Sequence, residues 1–208
     1  DFTFSRGSNL AATRVGADGL IEKGRENLLL QSNQFNTTWL QVNTSLTSGQ
    51  SGYDGSNDAW LFSATAVSGQ IKQFLSSSGI NTYSVYAKAG TINWLRMLVV
   101  GSSNHARYFD LQNGVIGSSE YPDEVTQTIT SVGNGWYRCS MTTNASITEV
   151  RLFMSVSDLG HTSTTNGNIY IQDAQLEIGL AATPYIESGA TTGKAGLLED
   201  EPRFDYSG

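Results

Sequence analysis

Thr82-Tyr83-Ser84-Val85-Tyr86-Ala87-Lys88-Ala89 decides the fold class of this chain. Tyr83, Val85 and Ala87 point one way, and Ser84, Tyr86 and Lys88 the other. Successive residues of a strand face opposite sides of a sheet, so this alternation predicts a β-strand with one face in a core. Its Tyr and Val content suits a pleated, half-buried surface. Residues 93–100 repeat the pattern, with Leu95, Met97 and Val99 against Trp94, Arg96 and Leu98. Upstream, 58–65 sets Ala59, Leu61 and Ser63 against Trp60, Phe62 and Ala64, and 71–75 reads as a further strand.

Outward from this centre the signal recurs at 106–111, 125–130, 136–143, 150–156 and 168–178, with Gly, Asn and Ser turns between. The apolar run Leu28-Leu29-Leu30 fits a first buried strand. No segment shows the spacing of a long amphipathic helix. Short strands at even spacing predict an all-β protein, a jelly-roll β-sandwich of about ten antiparallel strands. Residues 1–26 are polar, with turns such as Ala17-Asp18-Gly19, and predict an extended N-terminal arm or hairpin. The sandwich is expected over 27–187, and a C-terminal linker to a further module over 188–208.

Composition narrows the function. The 208 residues suffice for one substantial core. The net charge is −7, and nucleic-acid affinity depends on Lys and Arg neutralising phosphates, so no nucleic-acid partner is expected. No apolar stretch is long enough to span a bilayer, so no membrane insertion is expected. The chain begins at Asp1-Phe2-Thr3-Phe4 without Met or a secretory signal pattern, and reads as a piece of something longer. Cys139 is the one cysteine, which excludes an internal disulfide. Alternation places it with Tyr137 and Met141, the position of an inert core thiol.

Patterns near the ends and through the core carry a resemblance. Phe4-Ser5-Arg6-Gly7 leads to Ala17-Asp18-Gly19-Leu20-Ile21-Glu22, and Gly196 to Gly208 closes the chain in acidic and aromatic residues. Between them come Glu26-Asn27-Leu28-Leu29-Leu30-Gln31-Ser32 with Trp39, then Tyr53-Asp54-Gly55-Ser56-Asn57-Asp58-Ala59. Tyr83 to Gly90 follows, with Asn134-Gly135-Trp136-Tyr137-Arg138, and finally 169–179 with Ala182-Thr183-Pro184-Tyr185-Ile186. Together and in this order they resemble a modular family of bacteriophage virion proteins, with jelly-roll domains in tail-fibre, head-fibre or other appendage chains. That resemblance implies a structural and host-attachment module of a virion, assembled as a homo-oligomer such as a homotrimer, contacting other virion proteins and cell-surface polysaccharide. No enzymatic activity is expected.

The same patterns resemble carbohydrate-binding modules of the family 4, 9 and 22 type, which makes a module attached to a polysaccharide-degrading enzyme the rival reading. A pure capsid or tail building block without ligand is a third. In those modules an Asp near the position of Asp173 helps to hold a structural calcium. This chain departs from them by having Ser32-Asn33-Gln34-Phe35 where the acidic partner would stand. A plain hydrogen bond at Asp173 is therefore the expectation, with calcium the alternative and no other cofactor.

Other candidates are weaker. Asp54-Gly55-Ser56-Asn57-Asp58 lacks EF-hand spacing and predicts an Asx-turn before a strand. His105 and His161 have no ligand-spaced neighbours and are expected at the surface. Glu120, Asp123 and Glu124 flank Tyr121-Pro122 and read as a solvated acidic loop, although two carboxyls across a sugar would make a glycosidase. The aromatics are the better clue, because rings stack on the C–H faces of sugars while polar neighbours take the hydroxyls. Trp94, Arg96, Tyr86, Tyr108 and Gln172 are the expected glycan-binding residues. Trp39 and Trp136 are assigned to structure.

Overall fold

The computed structural model describes residues 14–15, 21–22, 24–121, 126–160 and 166–194. Along the chain come β1 (Arg14–Val15), β2 (Ile21–Glu22), β3 (Glu26–Asn27), β4 (Leu40–Val42), β5 (Thr44–Gln50), β6 (Ala59–Ala64), β7 (Gln70–Ser77) and β8 (Ile80–Ala89). Then follow β9 (Trp94–Gly101), β10 (His105–Asp110), β11 (Val115–Ser119), β12 (Thr126–Gly133), β13 (Trp136–Asn144), β14 (Ile147–Ser155), β15 (Asn168–Ile178) and β16 (Gly193–Lys194). No helix occurs among the described residues.

Two six-stranded sheets dominate. The first runs β12-β13-β8-β15-β6-β5 and the second β11-β10-β9-β14-β7-β4. All their pairings are antiparallel. The chain crosses between sheets at β4 to β5, β6 to β7, β7 to β8, β8 to β9, β11 to β12, β13 to β14 and β14 to β15. The fold is a jelly-roll β-sandwich. Tyr83, Val85 and Ala87 of the first sheet meet Leu95, Met97, Val99 and Leu152 of the second in one apolar core. Trp60, Phe62 and Ala64 join them, so period-two reading assigned these faces correctly.

The strands that periodicity missed lie at sheet edges. β4, β5 and β11 are all outermost strands. β5 reads Thr-Ser-Leu-Thr-Ser-Gly-Gln and is largely exposed, so no apolar face marks it. Short, polar edges of this kind resist edge-to-edge association.

Leu28-Leu29-Leu30 is not a strand. The ladder there is only β3, which pairs with β16. Leu29 is buried, and the Leu30 backbone is satisfied by a side chain. Its N–H donates to Gln73 Oε1 at 2.7 Å, and its carbonyl accepts from Gln73 Nε2 at 2.8 Å. The apolar run therefore caps the core as a loop.

The segment expected as a linker contributes to the sandwich at its start. Ser188 is buried, and its N–H donates to Ser32 Oγ at 2.9 Å. Gly193 and Lys194 pair with Asn27 and Glu26 across β3 and β16. Within the arm, β1 and β2 form an antiparallel pair. His161, Asp123, Glu124 and the closing 195–208 stretch lie outside the described residues.

Candidate functional site

The outward faces of the two sheets differ, and the five expected glycan-binding residues divide between them. Trp94, Arg96 and Tyr108 belong to β9 and β10 of the second sheet. Tyr86 and Gln172 belong to β8 and β15 of the first. No single groove contains all five, because a sandwich core separates the two groups.

On the second sheet, register builds rows across the strands. Tyr108, Arg96, Phe153 and Gln70 are successive partners on β10, β9, β14 and β7. Ala106, Leu98, Arg151, Lys72 and Leu40 make the next row. Asp110, Trp94 and Ser155 make a third. Directly opposed side chains on one face lie about 4.5–5.5 Å apart at Cβ, close enough to interlock.

They interlock through charge. Arg96 Nε donates to Glu120 Oε2 at 2.8 Å, and the guanidinium lies 4.6 Å from the Phe153 ring centre. Tyr108 OH donates to the same Glu120 oxygen at 3.4 Å. Burial pushes the Tyr108 phenol up to about 12, with Arg96 opposing and Glu120 reinforcing. Lys72 Nζ and Arg151 Nε flank Glu149 Oε1 at 3.3 and 2.6 Å. Arg96 and Glu149 are only 8% and 5% exposed, although both point away from the core. Trp94 is half-buried beside this network. A Cβ on Gly117 would lie 2.6 Å from Trp94 Cζ3, so the missing side chain makes room for the indole. Phe74, 64% exposed, marks the opposite border.

Tyr108, expected as a sugar contact, is 0% exposed and packs within the protein, so the half-buried Trp94 indole is the ring surface offered beside fixed donors and acceptors. The expectation had named Trp94, Arg96 and Tyr108 but not Glu120, Lys72, Glu149, Arg151 or Phe153. Alternation within 150–156 already carried a signal, since Arg151 and Phe153 oppose Val150 and Leu152. Their meeting with Arg96 depends on strand order, which one sequence does not state.

On the first sheet, Gln172 is buried and fastens a loop. Its Oε1 accepts from Tyr53 N–H at 3.1 Å, and its Nε2 donates to Asp58 Oδ1 at 2.7 Å and Ser56 Oγ at 3.2 Å. All of its hydrogen-bonding groups are engaged inside the protein. Ser56 N–H donates to Asp54 Oδ1 at 3.0 Å, the expected Asx-turn. Tyr86 is 7% exposed and stacks on Tyr53, with ring centres 3.7 Å apart and planes within 3°. Trp136, Tyr170 and Tyr185 complete that aromatic cluster.

Asp173 occupies a bulge of β15 with φ 53°, a left-handed conformation that Asp tolerates better than most residues. Its Oδ2 accepts from Tyr53 OH at 3.0 Å, and its N–H donates to Asn33 Oδ1 at 3.2 Å. Burial pushes its carboxyl up to about 7, partly opposed by the Tyr53 hydrogen bond and reinforced by Asp58 and Asp54. Among the described residues no group of His, Cys, Asp or Glu gathers to hold a metal ion. Calcium wants six to eight oxygens, several charged. Asp173 makes the expected plain hydrogen bond, accepting from Tyr53 OH.

Two further expectations meet the structure here. Cys139 is buried in the core, and burial pushes its thiol well above the ordinary range. His105 is buried rather than at the surface, with Nε2 2.9 Å from Ser103 Oγ. It begins β10, and the adjoining turn covers it.

No family model matches the chain, and no curated protein sequence matches it. Among solved structures it is similar to TmCBM61 in complex with beta-1,4-galactotriose, at 12% identity and TM-score 0.45 over 72% of this chain and 97% of that one. It is similar to an exo-beta-agarase at 10% identity and TM-score 0.47, over 74% of this chain and 25% of that one. It is also similar to the enzymatically active domain of bacteriophage CBA120 tailspike protein 4, at 16% identity and TM-score 0.41, over 72% of this chain and 21% of that one. Each is a partial likeness of chain path.

Proposed function

We propose that this chain is a non-catalytic carbohydrate-binding module whose ligand lies across the outward face of the second sheet. The observation that supports it most is the half-buried Trp94 indole one row from Arg96, whose charge is already fixed by Glu120. Binding is favoured when the polar groups that meet a ligand need no further ordering. Aromatic surface then covers the apolar face of a sugar while Arg96, Glu120, Lys72 and Arg151 reach its hydroxyls. Glu120 and Glu149 are each held by a cation, an arrangement suited to orienting hydroxyls rather than to moving protons.

The setting we propose is an appendage of a phage particle, where the module builds the fibre and attaches it to host-surface polysaccharide. Four motifs in family order support that setting. Homotrimer formation with other virion proteins nearby is part of the same proposal. Phe74 and Leu180, 64% and 74% exposed, offer apolar surface that self-association would bury.

A glycan array probed with the purified chain and with Trp94→Ala tests the binding role, and light scattering gives the mass of the same samples. Selective binding lost in the variant supports the reading. A folded protein that binds nothing on the array removes the carbohydrate role and leaves a building block.

A further inference from the structure

The outward face of the first sheet carries a second groove, far from the Trp94 face. Its volume is ≈ 370 Å³, within the usual range for small-molecule sites. Thr126, Thr128 and Thr130 of β12 line one side, and the 180–182 segment the other. Arg138 and Tyr86 form part of the floor.

Charge distinguishes this groove. Arg96, Arg151 and Lys72 on the opposite face each meet a carboxylate. Arg138 meets none among the described residues. One Nη2 donates to Ser84 Oγ at 3.2 Å, the guanidinium lies 5.2 Å from the Tyr86 ring centre, and Nε is buried without an acceptor. No described residue lining the groove is acidic. A chain of net charge −7 thus holds in a hydroxyl-lined cleft a cation that meets no carboxylate among the described residues. Guanidinium is weakly hydrated and forks onto planar oxyanions, so an unpaired one in a groove suits a carboxylate.

The rest of the lining says what carries that carboxylate. Thr128 and Ser140 hydroxyls bond each other at 2.7 Å, as do Thr82 and Thr142 at 2.8 Å, and so have fixed positions. Thr126 and Thr130 are held in the β12–β13 ladder by their backbone, and their side chains are exposed to a ligand. Hydroxyls both donate and accept, which matches the hydroxyls of a sugar ring. The 180–182 wall supplies apolar contact through Leu180, Ala181 and Ala182.

We propose that this groove is a separate binding site for an acidic saccharide, with a hexuronate carboxylate on Arg138 and its ring hydroxyls on the threonine row. The site is independent of the Trp94 face, so the two can fail separately.

The test is calorimetric titration of the full chain with trigalacturonate, with a neutral galactose trisaccharide and acetate in parallel, at low and moderate salt. Trigalacturonate is expected to bind, to weaken as salt rises, and to lose at least tenfold in affinity in Arg138→Gln, while Trp94→Ala binds it normally. Ala182→Phe, which narrows the groove and leaves the guanidinium in place, is expected to weaken it as well and serves if Arg138→Gln is poorly folded. The proposal is overturned by no trigalacturonate binding, by equal binding of the neutral trisaccharide, by acetate competing at equal carboxylate concentration, or by a loss in Trp94→Ala matching that in Arg138→Gln.

Discussion

Gln172 Nε2, at the middle of the last long strand, donates to Asp58 Oδ1 at 2.7 Å across 114 positions of chain. That bond, with those to Tyr53 and Ser56, ties the 52–58 loop to the first sheet. A side chain that reads in sequence as a sugar contact is thereby a loop anchor. Losing a buried hydrogen-bonded group leaves its partners unsatisfied, at about 1–3 kcal/mol. Gln172→Ala is expected to lower the melting temperature by roughly 2–10 °C, measured by calorimetry, while leaving Trp94-dependent binding in place.

Asp173 makes stability depend on pH. Its carboxyl is raised to about 7 in the folded state from 3.8. The native protein therefore binds a proton that the unfolded chain releases between these values, and stability falls as pH rises from about 4 to about 7, levelling above. Asp173→Asn keeps an acceptor for Tyr53 and tolerates the positive φ. It is expected to flatten that slope and to be the more stable form at pH 8, by on the order of 2–4 kcal/mol. Urea titrations of both proteins at pH 5 and pH 8 check it, and parallel pH profiles would contradict it.

The pair between Arg96 and Glu120 is predicted to fix the shape of the Trp94 face. Glu120→Gln removes the charge but not the bulk, and is expected to cost roughly 1–3 kcal/mol of stability. It should also reduce saccharide affinity more than Lys72→Gln does, since Lys72 lies rows away from the indole. Chemical denaturation and titration on the same samples separate the two effects.

Cys139 is expected to be silent in the native protein. The thiol is buried and held protonated, whereas reaction needs an accessible thiolate. A chromogenic disulfide reagent should release no signal from the folded chain and one equivalent in guanidinium chloride. Rapid native reaction would mean that the core opens at β13.

Strand identity was legible wherever one face is core. β8 and β9 follow from alternation alone, and 168–178 was delimited to the residue. The edge strands β4, β5 and β11 were not legible, because β4 is only three residues long, β5 is almost wholly polar, and β11 sets Val115 and Ile116 on opposite faces before Gly-Ser-Ser, so none shows a period. The site was half legible for a related reason. Trp94 and Arg96 announce themselves by type and by sharing a face, but Glu120 reaches Arg96 only through the β9–β10–β11 order. Likewise, nothing local separates Tyr86 from Tyr108, although they lie on opposite sheets. Leu28-Leu29-Leu30 misled because only Leu28 bonds a strand, through Leu176, while Leu29 is satisfied by the Asn27 side chain and Leu30 by Gln73.

The most direct test of a saccharide site on the second sheet is calorimetric titration of the best glycan-array ligand into the wild-type chain, Trp94→Ala and Gln172→Ala. The account predicts saturable binding, at least tenfold weaker in Trp94→Ala with its fold intact by circular dichroism, and unchanged in Gln172→Ala. Equal binding by the wild type and Trp94→Ala would contradict it.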